Sequence, residues 1–145
     1  MKLCDVNVLV NAHRVSQPHH EPAHAWLEET LRTKEAFGMS ELVLSGFLRV
    51  VTRRSSFLPE PTPLAEALSF VDVIRSRRHH VPVRPGSRHF TIFTDLLRRT
   101  HSRGKLVPDA WFAALAIESG CHWSTFDRDF ARFPGLAWSV PGEAS

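Results

Sequence analysis

The sequence predicts an α/β domain in which a mostly parallel central sheet is flanked by helices. Short apolar segments alternate along the chain with longer segments in which apolar residues recur at helical spacing. This alternation is typical of parallel strands joined by helical crossovers. The length of 145 residues is within the usual size of one domain, so we expect residues 1–145 to form a single unit.

Five short apolar segments are the predicted strands. They occupy residues 2–4, 36–39, 80–83, 121–124 and 137–140. The first ends at Asp5, and the fourth is soon followed by two further aspartates. A connector is expected at residues 59–63, because three prolines there interrupt any regular hydrogen bonding.

Apolar residues at helical spacing predict the helices between these strands. One helix is expected to begin near Asn7, and a second at Pro22, whose fixed φ suits a first turn. Ser40 is expected to cap a third helix. Two more follow around residues 64–74 and 90–97, and a last helix opens at residues 108–109 and stops near Gly120.

The composition excludes several classes of protein. Hydrophobic residues make up 43% and charged residues 23%, which is ordinary for a globular protein and excludes disorder. No run of about 18 apolar residues occurs, so no membrane span is predicted. Because Asp5 interrupts the N-terminus too early for a signal peptide, we expect an intracellular, cytoplasmic protein. Cys4 and Cys121 have no metal or disulfide spacing and are expected to be buried thiols.

The charge balance favours an anionic partner. The formal net charge is +3, and all but three of the 18 cationic residues are arginines. Arginine binds phosphate well because its planar guanidinium donates two hydrogen bonds side by side. A GC-rich genome gives the same bias, so the charge only points toward nucleic acid.

Acidic residues occupy comparable positions after three predicted strands and at one helix start. These residues are Asp5, Glu41, Asp109, Asp127 and Asp129. In an open parallel sheet, ligands bind outside the carboxyl ends of the strands, where the strand order reverses. We therefore expect these acids, although distant in sequence, to converge on one cleft.

A divalent cation explains why carboxylates would gather at one place. Like charges raise one another's pKa and oppose folding, and a hard cation such as Mg²⁺ removes that cost. The metal activates water and stabilises a phosphoryl group under attack. Taken singly, Glu41, Asp109 and Asp127 also suit helix starts. Asp5 has no such simple explanation, because an unpaired carboxylate is costly to bury after an apolar strand.

Four segments resemble the motifs of the PIN domain family, and together they cover nearly the whole chain. They are DVNVLVNA at 5–12, SEL at 40–42 with LRV at 48–50, PDA at 108–110 with AALA at 113–116, and STFDRDF at 124–130. In length and order the chain is similar to VapC-type toxins of type II toxin–antitoxin modules. The resemblance implies a PIN-like fold.

The same resemblance implies an endoribonuclease that depends on Mg²⁺ or Mn²⁺. Such a protein is restrained by a cognate VapB-type antitoxin, is usually a homodimer, and leaves 3′-hydroxyl and 5′-phosphate ends on RNA. The implied catalytic residues are Asp5, Glu41, Asp109 and Asp127. The implied metal ligands are Asp5, Asp109, Asp127 and Asp129, with either Asp127 or Asp129 as the fourth. Asn7 is expected to orient these ligands by hydrogen bonding.

Four arginines close to the acidic motifs are candidate RNA contacts. They are Arg14, Arg49, Arg53 and Arg128. The alternative is that they simply cover solvent-exposed helix faces.

The sequence also contains features of other classes of protein. The segment HEPAH at residues 20–24 matches the zinc-protease pattern, but Pro22 is expected to start the helix and leave His20 in a loop. An aspartyl phosphatase or phosphotransferase would use Asp5 as nucleophile, but it needs a second aspartate where Asn7 stands and a supporting lysine such as Lys105. A non-catalytic basic RNA-binding module would hold RNA by phosphate contacts alone.

Overall fold

The computed structural model describes residues 1–143, and its centre is a five-stranded sheet in the order β3-β2-β1-β4-β5. Every neighbouring pair of strands is parallel. The strands are β1 (Lys2–Cys4), β2 (Phe37–Met39), β3 (His80–Pro82), β4 (His122–Ser124) and β5 (Trp138–Ser139). The predicted parallel sheet is confirmed, and each predicted strand segment contains one of these strands.

Within residues 1–143, six helices connect the strands. They are α1 (Val6–His13), α2 (His20–Arg32), α3 (Glu41–Val51), α4 (Leu64–Arg75), α5 (His89–Thr100) and α6 (Leu106–Ser119). A short 3-10 helix, Arg128–Arg132, follows β4. As predicted, the Ser40 hydroxyl accepts a hydrogen bond from the Leu42 backbone N–H, and Gly120 ends α6 with a φ of 67°. No helix within residues 1–143 is both long enough and apolar enough to cross a membrane.

Helix α2 begins two residues earlier than predicted. The sequence places the start at Pro22 and leaves His20 in a loop, but α2 starts at His20 and includes Glu21. Pro22 is thus the third helical residue, where the backbone N–H that proline lacks has no partner within the helix anyway. The ring of His20 helps to fix this start, because its Nδ1 lies 2.8 Å from the backbone oxygen of Asn11.

The core lies between the sheet and the helices. Leu3, Phe47 and Trp123 are completely buried, and Cys4 and Cys121 are buried free thiols as predicted. Gly38 in β2 allows close packing, because a Cβ there would lie 2.6 Å from Val83 Cγ2. The apolar strands and helix faces therefore hold the carboxyl ends of the strands at one fixed edge.

The strand order reverses between β1 and β4. The chain moves outward from β1 to β2 and β3, and then returns to the other side of β1 for β4 and β5. The ladder continues one residue beyond β1, where the Asp5 backbone N–H donates to the Ser124 oxygen at 2.9 Å. This reversal brings the residues that follow β1 beside those that follow β4, which is where α/β folds bind ligands.

Candidate active site

Asp5 lies at this reversal with both carboxylate oxygens engaged by the protein. Its Oδ1 accepts a hydrogen bond from the Val6 backbone N–H at 2.8 Å, which caps α1. Its Oδ2 accepts from Thr125 Oγ1 at 2.8 Å and from Asn7 Nδ2 at 3.3 Å. Burial raises the pKa of Asp5 and the Asp127 charge adds to the rise, while these three donors oppose it. The carboxylate is therefore held in one orientation.

Thr125 connects the two strand ends. Its fully buried hydroxyl donates to Asp5 and accepts hydrogen bonds from Asn7 Nδ2 at 3.2 Å and the Asp127 backbone N–H at 3.0 Å. One donated and two accepted bonds use the whole capacity of a hydroxyl. Asn7 completes the link, because its Oδ1 accepts from the Phe126 backbone N–H at 3.1 Å. Asn7 thus contacts Asp5 by a hydrogen bond, and its role in orienting metal ligands stays a prediction that the family resemblance implies.

Asp109 lies in the first turn of α6 and is half-buried. Burial, together with the negative charges of Asp127, Asp5 and Asp129, raises its pKa from the ordinary 3.8 to about 6, and Lys105 opposes the rise. Because the charges of the other three aspartates all act on Asp109, the four side chains lie close enough to affect one another.

Asp127 and Asp129 differ in exposure and role. Asp127 is half-buried, and its Oδ1 caps the 3-10 helix by accepting from the Asp129 backbone N–H at 2.9 Å. Asp129 is exposed. Both charges act on Asp109, but only Asp127 also raises the pKa of Asp5. Asp127 is therefore the more central of the two.

The donor set suits a hydrated divalent cation. All four groups are carboxylates, the ligands that Mg²⁺ prefers, and their mutual repulsion would be relieved by a positive charge. Within residues 1–143, no three Asp, Glu, His or Cys side chains already form a group compact enough to hold a metal ion. Mg²⁺ usually keeps several water molecules and uses only one or two carboxylates directly, so a looser arrangement is compatible with it.

Glu41 does not belong to this group of four aspartates. It lies in the first turn of α3, as predicted, but its Oε1 accepts a hydrogen bond from Arg84 Nε at 2.8 Å. This bond and the Arg84 charge lower the pKa of Glu41. Glu41 is also absent from the charges that raise the pKa of Asp109. Its catalytic role therefore stays a prediction that requires the Arg84 pair to open.

The four candidate arginines are in different surroundings. Arg14 donates from Nη1 to Thr62 Oγ1 at 3.0 Å and is partly buried. Arg128 forms an ion pair with Glu143, and Arg49 and Arg53 are exposed near the end of α3. Only Arg128 adjoins an acidic residue of the site in sequence, between Asp127 and Asp129.

The zinc-protease pattern finds no support in the structure. The rings of His20 and His24 lie 5.3 Å apart on α2, but His20 Nδ1 contacts the Asn11 backbone and His24 lies 3.8 Å from Glu28. Although α2 begins at His20 and therefore includes both histidines, these residues do not form a zinc site. Within residues 1–143, no third Asp, Glu, His or Cys side chain joins these histidines in a group compact enough to hold a metal ion.

Sequence reasoning did not identify Thr125 as a functional residue. The signal was present, because Thr125 lies between a buried strand and Asp127, within the segment that resembles the fourth PIN motif. Its role depends on contacts with Asp5 and Asn7, which lie at the other end of the chain. Periodicity along the sequence cannot reveal such partners.

Comparison with known proteins agrees with this geometry. The chain matches the PIN domain family over residues 2–136. It is 40% identical over 136 residues to ribonuclease VapC25 of Mycobacterium tuberculosis, a match that covers 94% of this chain and 95% of that protein.

Solved structures share the fold at lower sequence identity. VapBC2 from Rickettsia felis, bound to a DNA fragment from its promoter, has a TM-score of 0.67 at 18% identity and covers 96% of this chain and 97% of its own. VapC20 of M. tuberculosis, described as a sarcin-ricin loop cleaving toxin, has a TM-score of 0.64 at 15% identity, with coverage of 94% and 98%. The family match and the extent of the identity establish that this chain belongs to the PIN domain family, among the VapC ribonucleases.

Proposed function

We propose that this protein is the toxin of a type II toxin–antitoxin module and acts as a Mg²⁺-dependent endoribonuclease. The observation that carries the proposal is the convergence of Asp5, Asp109, Asp127 and Asp129 at the strand-order reversal, where their charges act on one another. Membership of the VapC ribonucleases supports RNA as the substrate. A pure RNA-binding module would have little reason to collect acids that repel phosphate.

The proposed mechanism is in-line hydrolysis of an RNA phosphodiester. Mg²⁺, with Mn²⁺ as a substitute, would be held by Asp5, Asp109 and Asp127, with Asp129 nearby, and would supply positive charge for the phosphate and lower the pKa of a water molecule. Thr125 and Asn7 keep the Asp5 carboxylate fixed. A carboxylate of this group would help to remove the proton of the attacking water molecule.

Basic groups around the acids would bind the remaining phosphates. Lys105 is close enough to lower the pKa of Asp109, and Arg128 follows Asp127 directly. A cation held beside the scissile phosphate stabilises the charge that develops there. The acids and the cations thus have separate tasks, with the acids holding the metal and the cations holding RNA.

The partners that we propose follow from the family. VapBC2 of R. felis contains this fold together with VapB, and a VapB-type antitoxin is the corresponding partner here. A homodimer is proposed from the resemblance to VapC-type toxins. Light scattering of the purified chain, alone and with the antitoxin, measures both assemblies.

Cleavage of total RNA with and without Mg²⁺ tests the proposal. Discrete Mg²⁺-dependent ends carrying 5′-phosphate, together with growth arrest on expression without antitoxin, are the expected results. Release of inorganic phosphate from phosphomonoesters would instead indicate the phosphatase alternative. RNA binding without cleavage in Mg²⁺ or Mn²⁺ would indicate the binding module.

A further inference from the structure

A pair of stacked aromatic rings lies beside the acidic site. The rings of His19 and Phe126 have centroids 4.6 Å apart and planes inclined by only 7°. His19 belongs to the connection between α1 and α2 and is exposed, whereas Phe126 follows β4 and packs against the core. We name this pair the aromatic platform.

Helix α1 holds both parts of the aromatic platform in place. Asn11 Oδ1 accepts a hydrogen bond from the His19 backbone N–H at 3.0 Å, and Asn7 Oδ1 accepts one from the Phe126 backbone N–H at 3.1 Å. Asn11 is buried, and its amide donates to the Asn7 backbone oxygen at 2.8 Å. The two anchoring amides are one helical turn apart, so the rings are positioned before any ligand arrives.

The aromatic platform opens onto a cleft of about 400 Å³. Besides the two rings, the cleft is lined by Arg128 and Glu143 and by Pro22 and Pro141. Its size is within the range of about 300–1,000 Å³ that is usual for small-molecule sites. Arg128 is exposed and its ion pair with Glu143 is a surface pair, so a phosphate can compete for the guanidinium.

The aromatic platform is linked to the proposed catalytic site through the chain and through Asn7. Phe126 lies between Thr125 and Asp127 in the chain, and Asn7 bonds both to the Asp5 carboxylate and to the Phe126 backbone. An RNA strand bound at the acids therefore passes close to the aromatic platform. Phe126 contacts the core, and the exposed ring of His19 lies parallel to it.

We propose that His19 and Phe126 form a stacking platform for an unpaired RNA base next to the scissile phosphate. Aromatic rings stack on any base, and Arg128 at the rim is placed to contact the adjoining phosphate. This inference rests on the proposed ribonuclease function and makes it more specific, because a base must leave its own stack to reach the ring. Single-stranded or looped RNA is the substrate form that it requires.

Substitution of His19 tests the platform without disturbing the carboxylates. We expect His19→Ala to raise the KM for a short single-stranded RNA by roughly tenfold with kcat nearly unchanged, because stacking contributes to binding. His19→Trp, which keeps a flat ring, is expected to restore the KM. Exposed residues elsewhere, His24→Ala and Phe90→Ala, are the matched controls, and melting curves verify that each variant folds.

Fluorescence gives a second measurement that does not depend on turnover. RNA carrying 2-aminopurine at each position near the cut is bound to the Asp109→Asn variant, and stacking quenches the base that meets His19. We expect quenching at one flanking position and its loss on adding His19→Ala. Equal quenching with and without His19, or His19→Trp as weak as His19→Ala, would overturn the inference.

Three further results separate the possible failures. If the wild-type chain cleaves RNA and His19→Ala cleaves it with an unchanged KM, the ribonuclease proposal survives and the platform does not. If His19→Ala weakens only the affinity for the antitoxin, the cleft is a protein contact and the inference is wrong. If the wild-type chain cleaves no RNA, the proposed function is wrong, and the inference that rests on it is wrong as well.

Discussion

The Thr125 hydroxyl donates a 2.8 Å hydrogen bond to Asp5 Oδ2 and thereby joins the end of β4 to the end of β1. Those two strands are neighbours only because the strand order reverses between them. The bond fixes the carboxylate that begins the proposed metal site, and the same hydroxyl accepts from the backbone of Asp127. A single buried side chain thus aligns two acids from opposite ends of the chain.

Thr125→Val hardly changes the shape of the side chain, but we expect it to lower the stability of the fold strongly. It removes a donor from a partly buried carboxylate, leaves the Asp127 N–H without its acceptor and leaves Asn7 Nδ2 with Asp5 alone. We expect a loss of about 1–3 kcal/mol in the free energy of unfolding by urea. Thr125→Ser keeps the hydroxyl and should retain most of the stability and RNA cleavage.

A matched control for this prediction is Thr30→Val in α2. Thr30 is equally enclosed, but its hydroxyl donates only to the Trp26 backbone oxygen of its own helix. We expect its effect to be clearly smaller and cleavage to be unchanged. Equal losses at the two positions would show that Thr125 has no special role.

Asp109→Asn should stabilise the metal-free protein above pH 6. The folded-state pKa of about 6 exceeds the ordinary 3.8, so the folded protein retains a proton that the unfolded chain has lost. Stability therefore falls as pH rises from about 4 to 6, and the amide removes that loss. The shift would correspond to about 3 kcal/mol for a fully enclosed group, and solvent screening reduces our expectation to about 1 kcal/mol.

Urea unfolding in EDTA at pH 4 and pH 7.5 measures this effect. The variant and the wild type should be nearly equal at pH 4 and should separate at pH 7.5, while RNA cleavage is lost at both. Asp5→Asn should also abolish cleavage but should not stabilise, because an amide cannot accept all the donors that face Asp5. A destabilised Asp109→Asn variant at pH 7.5 would contradict the electrostatic account.

Glu41→Gln and Arg84→Ala separate catalysis from the surface ion pair. If Glu41 acts in cleavage, as the family resemblance implies, the glutamine variant should lose at least about a hundredfold in kcat, the lower end of the range for an acid–base group. Arg84→Ala releases the carboxylate and should leave cleavage equal or higher. Equal losses in both variants would mean that the pair itself matters, and no loss in either would remove Glu41 from the mechanism.

Gly38→Ala tests the packing that supports the site. The added Cβ would lie 2.6 Å from Val83 Cγ2 and 2.9 Å from Leu3 Cδ2, both in the core beside β2. We expect a loss of about 1–3 kcal/mol, typical of overpacking. Adding Val83→Ala removes one of the two close contacts, so the double variant should lose less than the sum of the single variants.

The sequence contained most of the fold and part of the site. Apolar segments predicted the position of every strand. The prediction that Asp5 and Asp127 follow strands that end at the same edge of the sheet agrees with the positions of β1 and β4. Local rules were wrong at the start of α2, because a tertiary contact between His20 and Asn11 outweighed the restraint that Pro22 places on Glu21. The positions of Thr125, Arg84 and His19 could not be predicted, since each depends on partners that are remote in the chain.

Titration of Mn²⁺ or Mg²⁺ into the metal-free protein tests the central claim most directly. Isothermal calorimetry on the wild type, Asp109→Asn and Asp127→Asn, with the exposed Asp72→Asn as control, compares the acids of the site with one outside it. The account predicts saturable binding that weakens at least about tenfold in the two site variants and is unchanged in the control. Absence of binding to the wild type, or equal affinity in all four proteins, would contradict it.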